Sequence, residues 1–163
     1  VMSEGGNAGT GTNFSYDMSD DIINANVAGT SYALLGIRLK AAYNMQSVRL
    51  AGVSVQAATN DDFLWEIRMN PTLATDVSWS DVANSAIQIG YPSTANPSPN
   101  TVTGGEIVAS GYASADSGFF APAESRRNIG QAIDGTMDEL ILCVTPMGSN
   151  ADIRGTISWV EVQ

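Results

Sequence analysis

The residue types that usually carry enzymatic chemistry are scarce in this chain. It contains no histidine and one cysteine, Cys143. Without histidine there can be no Ser-His-Asp or Cys-His arrangement, and one thiol cannot hold zinc or an iron–sulfur cluster within one chain. The glycine-rich stretches near Gly9 and Gly104 lack the lysine of a phosphate-binding loop. We therefore expect no catalytic residues, no cofactor and no metal.

Carboxylates are the remaining candidates for chemistry. Paired acids for sugar hydrolysis would have to come from Glu66, Glu106, Glu124, Glu139 and Glu161. Several of these lie in strand patterns that turn them toward solvent, and no spacing brings two to catalytic separation. Asp20-Asp21 and Asp61-Asp62 could bind calcium or simply form turns, and neither matches an EF-hand loop. We expect a protein without enzymatic activity.

Aromatic side chains offer a binding chemistry instead, because an exposed ring beside acids and amides can stack on a sugar. Trp65 and Trp159 alternate with polar residues and are expected in a core. Trp79 is the tryptophan that we expect to be exposed, and Tyr91 is a further candidate. Phe119 and Phe120 are predicted in a loop, where they either plug one end of the fold or contact a neighbouring protein.

Two-residue periodicity identifies the elements that must hold these side chains. Phe63, Trp65, Ile67 and Met69 alternate with Leu64, Glu66, Arg68 and Asn70, which predicts a strand with one apolar face. The preceding strand, from Ser47, changes phase, and a bulge at Ala51-Gly52 would reconcile its two halves. The polar turn 59–62 joins the two strands, which we interpret as a central hairpin.

Similar patterns recur over residues 31–41, 87–91, 106–112, 140–144 and 153–162. Leu140 to Val144 is apolar on both faces, as in a central strand. No credible long helix is present, and turn residues separate the strands. We predict an all-β fold, an antiparallel β-sandwich, with a jelly roll among the alternatives. Residues 31–163 form this domain, and residues 1–30 form an extended N-terminal arm or linker.

Charge and length restrict the partners. The chain has 163 residues and a formal net charge of −10, so it is repelled by nucleic acid and by anionic membranes. No stretch approaches the length of a membrane span. Charged residues make up 15% of the chain, below the usual quarter. Such a surface favours contacts with other protein subunits.

Six motifs stand out along the chain: IRLKAAYN at 37–44, NDDFLWEI at 60–67, MNPTL at 69–73, TGGEIVASGY at 103–112, DELIL at 138–142 and GTISW at 155–159. Together they resemble structural proteins of tailed bacteriophages. The similarity covers residues 31–163 and leaves the N-terminal arm unmatched.

The resemblance implies a non-enzymatic virion component, exposed on a particle assembled in the host cytoplasm. It points to capsid decoration or a head fibre, or to a tail or baseplate part. The expected partners are further copies of the chain, with a trimer as the default, and virion proteins such as the major capsid protein. The alternative is a glycan-binding module of a tail fibre that recognises the host, with Trp79 in its site.

Overall fold

The computed structural model describes residues 11–18, 21–59, 61–91, 100–114, 119–121, 128–148 and 151–162. One 3-10 turn lies at Ala41–Tyr43, and the other elements in these ranges are strands. They are β1 (Thr12–Asp17), β2 (Ile23–Ala25), β3 (Tyr32–Leu39), β4 (Ser47–Ala57), β5 (Phe63–Met69), β6 (Thr72–Leu73), β7 (Ser78–Asp81), β8 (Ile87–Tyr91), β9 (Val102–Thr103), β10 (Glu106–Ala113), β11 (Phe119–Ala121), β12 (Asn128–Ile129), β13 (Glu139–Pro146) and β14 (Ala151–Val162).

The strands form two six-stranded sheets and one two-stranded ribbon. The first sheet has the order β1-β14-β4-β11, with β2 also paired to β14 and β12 to β4. The second sheet has the order β10-β5-β13-β3-β8-β7, and β6 pairs with β9. Neighbouring strands are antiparallel in every pair. The predicted all-β sandwich is confirmed.

The strand order is that of a jelly roll. Apart from the insertion β6–β9, the chain runs from the first sheet to the second at β3, back at β4, and across again at β5 and β10. It returns at β11 and β12, crosses at β13 and ends in the first sheet at β14. The two sets β1-β14-β4-β11 and β3-β13-β5-β10 face each other, which gives the eight-stranded, double Greek-key arrangement.

Alternation along the strands builds the core between the sheets. In β14, residues from Ala151 to Glu161 are buried at every second position. In β5, Phe63, Trp65 and Ile67 are buried in the same core. Gly155 lies where a side chain would run into Leu142 and Leu34 of the second sheet. Residues of both sheets thus form one continuous hydrophobic cluster.

The predicted bulge in β4 is confirmed. Ser158 of β14 pairs with Gly52, whereas the next residue, Trp159, pairs with Leu50, which leaves Ala51 as the extra residue. The predicted hairpin is wrong. β4 pairs with β14 in the first sheet, and β5 pairs with β13 and β10 in the second. The polar turn that follows β4 therefore carries the chain from one sheet to the other.

Part of the expected N-terminal arm belongs to the first sheet. β1 pairs with β14 over its whole length, and β2 pairs with residues 151–153. Phe14 stacks on Trp159 with ring centroids 5.8 Å apart, and Met18 and Ile23 are buried. In the described part of residues 1–30, β1 and β2 are therefore strands of the first sheet, and Met18 and Ile23 belong to the core. Its polar composition suits an edge strand that has only one face on the core.

The connection between β5 and β10 adds a layer to the second sheet. Its hairpin β7–β8 extends that sheet beyond β3. Its segment 100–102 lies along the start of β3, with the Ala33 amide donating to the Asn100 carbonyl at 2.8 Å. Together with Leu73 and Trp79, Val102 covers Ala33, Ile141 and Cys143 on the outer face of the sheet. This insertion creates the candidate site.

Candidate functional site

Trp79 lies on a floor of glycine backbone. It stands on β7 opposite Gly90 of β8, which in turn pairs with Gly36 of β3. A Cβ atom added at Gly90 would lie 2.7 Å from the Cζ3 and Cη2 atoms of the indole. The ring is therefore in contact with the sheet, and Trp79 is half-buried where the sequence analysis expected an exposed side chain.

Arg38 is fixed beside this ring by three partners. Its guanidinium carbon lies 4.3 Å from the centroid of a Trp79 ring, a cation–π contact. Its Nε donates to Gln88 Oε1 at 2.9 Å, and its Nη1 lies 3.2 Å from Glu139 Oε1. Gln88, Arg38 and Glu139 are neighbours across β8, β3 and β13. The sheet register thus fixes the position of the guanidinium.

A cleft of about 320 Å³ opens beside these residues. Its lining consists of Arg38, Leu73, Asp76, Val77, Trp79 and Glu139. Two aliphatic side chains and an indole provide apolar surface, while a guanidinium and two carboxylates can hydrogen-bond hydroxyl groups. The volume lies at the small end of ligand pockets, which start near 300 Å³. The lining thus combines apolar surface with hydrogen-bonding groups in a space for a small ligand.

The other predicted contact residues do not meet at this cleft. Tyr91 pairs with Ser78 at the end of β8, and its side chain lies outside the described part. Phe119 and Phe120 were expected in a loop, but they pair with Val55 and Ser54 in β11 at the edge of the first sheet. Their side chains also lie outside the described part.

Two of the five candidate glutamates, Glu66 and Glu161, are buried, contrary to expectation. Glu66 forms an ion pair with Arg68, 2.6 Å from Glu66 Oε2 to Arg68 Nη2, on the outer face of the second sheet. Glu139 lines the cleft, and Glu106 is exposed. Glu124 lies outside the described residues.

Glu161 anchors the turn of the β7–β8 hairpin. Its Oε1 accepts the Ala86 amide at 2.9 Å and the Trp159 Nε1–H at 3.2 Å, and the Ser85 hydroxyl also donates to it. The Ser85 oxygen in turn accepts the Ile87 amide at 3.1 Å. These bonds attach the hairpin that carries Trp79 to the last strand of the first sheet. Sequence alternation could not reveal the bonds from Ser85 and Ala86, because these residues lie 76 and 75 positions from Glu161.

Cys143 is a buried thiol under the insertion. Burial raises its pKa to about 12 from an ordinary value of 9.0, and Glu66 acts in the same direction while Arg68 opposes it. A thiol of this kind stays protonated near neutral pH and does not act as a nucleophile.

The calcium candidates lie partly outside the described residues. Asp61 and Asp62 lie within the described residues, whereas Asp20 lies outside them. Among the described residues, no group of three or more acidic, histidine or cysteine side chains could hold a metal ion. No helix among the described residues is long and apolar enough to cross a membrane. Comparison of the chain with protein-family models, with curated proteins and with solved structures gave no match.

Proposed function

We propose that this chain is a non-enzymatic structural protein of a tailed-phage particle and works by binding neighbouring subunits. Its place is the capsid surface, as decoration or a head fibre, or else the tail or baseplate. The motif resemblance supports this assignment. The jelly roll adds an argument by analogy, since viral capsid domains often have this fold.

The observation that carries the proposal is an apolar loop surface at one end of the sandwich, formed by Tyr43, Met45 and Ile133. Met45 is 91% exposed and Ile133 is fully exposed. Asn44 Nδ2 donates to Gln131 Oε1 at 3.4 Å, so the two loops lie side by side. Exposed apolar side chains grouped in this way are typical of protein contact sites. The partner that we propose for this surface is another virion protein, such as the major capsid protein.

The first test asks whether the chain is part of virions. Mass spectrometry of purified particles should detect it in many copies, and antibodies against it should label intact particles. Absence of the chain from purified particles would refute the proposal. Light scattering of the purified chain tests its self-association, for which a trimer is the default proposal.

The second test concerns the apolar loop surface. The assay is co-sedimentation of the purified chain with particles that do not contain it. Met45→Asp should lower the affinity for these particles by about tenfold, because one lost hot-spot contact is worth roughly 1–2 kcal/mol. Met147→Asp is the matched control, since Met147 is also exposed but follows β13 at the opposite end of the sandwich. Equal loss of particle binding in both variants would show that the apolar loop surface is not the contact site.

A second candidate function is glycan binding at the Trp79 cleft, as part of host recognition by a tail fibre. The specific observation is the grouping of an indole, a guanidinium and two carboxylates around a cleft of about 320 Å³. A glycan array and calorimetry with the selected sugar provide the assay. Asp76→Asn should weaken binding by about tenfold through loss of a charged hydrogen-bond acceptor. Asp62→Asn, an exposed acid in the turn between β4 and β5, should have no effect. Absence of binding to every glycan on the array would refute this candidate function.

A further inference from the structure

β10 is the longest strand at an edge of either sheet. It has eight residues, against six for β1, four for β7 and three for β11. It pairs with β5 on one side, and no other strand in the described part pairs with its second side. Its backbone donors and acceptors on that side are a template for a further strand.

The side chains of β10 carry few of the features that normally block such pairing. The strand contains no proline and no lysine, and Glu106 at its start is its one charged residue. Ile107 is 52% exposed and Tyr112 is 71% exposed. β7, at the other edge of the second sheet, is short and ends in Asp81. Short, charged edges resist pairing, whereas long apolar edges invite it.

A bulge in β10 sets which of its side chains share a face. Ile107 pairs with Arg68 and the next paired residue, Ala109, with Ile67, so that Val108 is the extra residue. Ile107, Ser110 and Tyr112 lie opposite Arg68, Glu66 and Leu64, on the outer face of the sheet. Ala109, Gly111 and Ala113 lie opposite Ile67, Trp65 and Phe63, on the core face. The outer row therefore has Ser110 midway between two exposed apolar residues.

This spacing is self-complementary. An antiparallel pairing of two β10 strands, with a two-fold axis through Ser110 and with Val108 again the extra residue of a bulge, places Ile107 of each copy opposite Tyr112 of the other. The core-facing residues then also meet core-facing residues, as a sheet requires. Aromatic and β-branched residues in directly opposite positions stabilise antiparallel pairs. The edge is also nearly free of charge, which matters for two chains that each carry −10.

We propose that two copies of this chain pair through β10 across a two-fold axis at Ser110, joining the two second sheets into one continuous sheet. This inference goes beyond the proposed function: it gives a two-fold dimer where the motif resemblance leads us to expect a trimer, and it does not depend on a place in a virion. An edge contact about 27 Å long is smaller than a standard protein interface. We therefore expect a reversible dimer with a micromolar or weaker Kd.

Sedimentation equilibrium of the full chain over a wide concentration range tests the surface. Ile107→Lys should raise the dimer Kd by at least about tenfold, since a lysine on an edge blocks strand addition. Val27→Lys is the matched control, because Val27 is also β-branched and is 53% exposed, and it lies in the connection between β2 and β3, outside β10. A wild-type chain that stays monomeric at millimolar concentration, a stable trimer, or a dimer that Ile107→Lys leaves unchanged would each overturn the proposal.

Crosslinking tests the register. Ser110→Cys places one thiol of each copy at the axis, opposite its counterpart, while the native Cys143 is buried. Under mild oxidation this variant should form disulfide-linked dimers at least about tenfold faster than Ser78→Cys, an exposed serine on the other edge of the same sheet. Equal rates would refute the pairing at Ser110. Failure of the chain to bind virions would leave both results in place, so the two proposals fail separately.

Discussion

Two tryptophans in this protein each cover a glycine on the neighbouring strand. Trp65 of β5 pairs with Gly111 of β10, and Trp79 of β7 pairs with Gly90 of β8. A Cβ atom on either glycine would lie 2.7–2.8 Å from the indole. The ring takes the space that a side chain would occupy and shields the backbone. An aromatic residue across from a glycine thus replaces the packing that the glycine lacks.

This arrangement predicts the effect of adding one methyl group. Gly90→Ala should lower the free energy of unfolding by about 1–3 kcal/mol, because the indole must move from the sheet. Gly130→Ala is the control, since its nearest neighbour would be Asp138 Oδ2 at 3.6 Å, an ordinary contact. Urea unfolding followed by circular dichroism measures both. Equal stability of the two variants would contradict the packing described for Trp79.

The buried carboxylate of Glu161 gives a second residue-scale prediction. Glu161→Ala removes the acceptor for Ser85, Ala86 and Trp159, and should cost about 2–3 kcal/mol of unfolding free energy because buried donors lose their partner. Asp62→Ala, at an exposed acid, should change stability by less than about 0.5 kcal/mol. Thermal unfolding of both variants provides the comparison. A small effect at Glu161 would mean that water replaces the lost acceptor.

At the scale of single elements, periodicity predicted much of the fold. It located β3, β5, β8, β10, β13 and β14 and the bulge at Ala51, because burial on one face leaves a direct mark on the sequence. The pair Asp134-Gly135 forms a turn, in which Gly135 has φ +88° and the Thr136 amide donates to Asp134 Oδ1 at 2.9 Å. Hydrogen bonds from the backbone amide and the side chain of Thr136 hold the pKa of Asp134 below its usual value.

The central strand β13 shows what the pattern of apolar residues can predict and what it cannot. Its run of apolar residues predicted burial on both faces, which the structure confirms. The residues that cover the outer face of β13 could not be predicted, because the β6–β9 insertion carries only scattered apolar residues. The candidate site had the same limit. Trp79 was identified from its type. Arg38 and Glu139 are brought together by the sheet register, and Asp76 comes from the connection between β6 and β7, so the three belong to separate segments of the sequence.

Burial of Cys143 on β13 predicts an alkaline loss of stability. Its folded pKa, about 12, is above the unfolded value of 9.0. The protonated thiol therefore favours the folded state fully below pH 9, and this contribution is lost as pH rises from 9 toward 12. Other groups also titrate there, so the measured quantity is the difference in unfolding free energy between wild type and Cys143→Ala at each pH. That difference should fall with rising pH, and a flat difference would contradict the burial.

At the scale of the whole molecule, the order of the strands was beyond prediction. The jelly roll depends on pairs such as β1 with β14 and β4 with β14, whose partners are about 100 or more residues apart. Local patterns carry no information about such pairs. The hairpin assigned to β4 and β5 was wrong for this reason, because a polar turn can join strands of one sheet or of two. Phe119 and Phe120 were placed in a loop because β11 is only three residues long.

The net charge predicts a salt dependence for the whole fold. Seventeen acidic residues face seven basic ones in 163 residues, and their repulsion opposes the compact state. Raising sodium chloride from a few millimolar to physiological ionic strength should therefore raise Tm, because it screens charges about 10 Å apart. Differential scanning calorimetry at fixed pH measures the change. A Tm that falls with salt would show that the ion pairs Arg68–Glu66 and Arg38–Glu139 outweigh the repulsion.

The insertion between β5 and β10 is attached to the eight strands of the jelly roll in two places. Its β7–β8 hairpin places Ala86, Ile87 and Ile89 in the main core and bonds to the Glu161 carboxylate. Its short strands β6 and β9 supply Leu73 and Val102, which cover part of the outer face of the second sheet. A minimal version of this protein would therefore have to keep the hairpin, and could be shortened only at β6 and β9, with hydrophilic residues at the outer-face positions that this exposes.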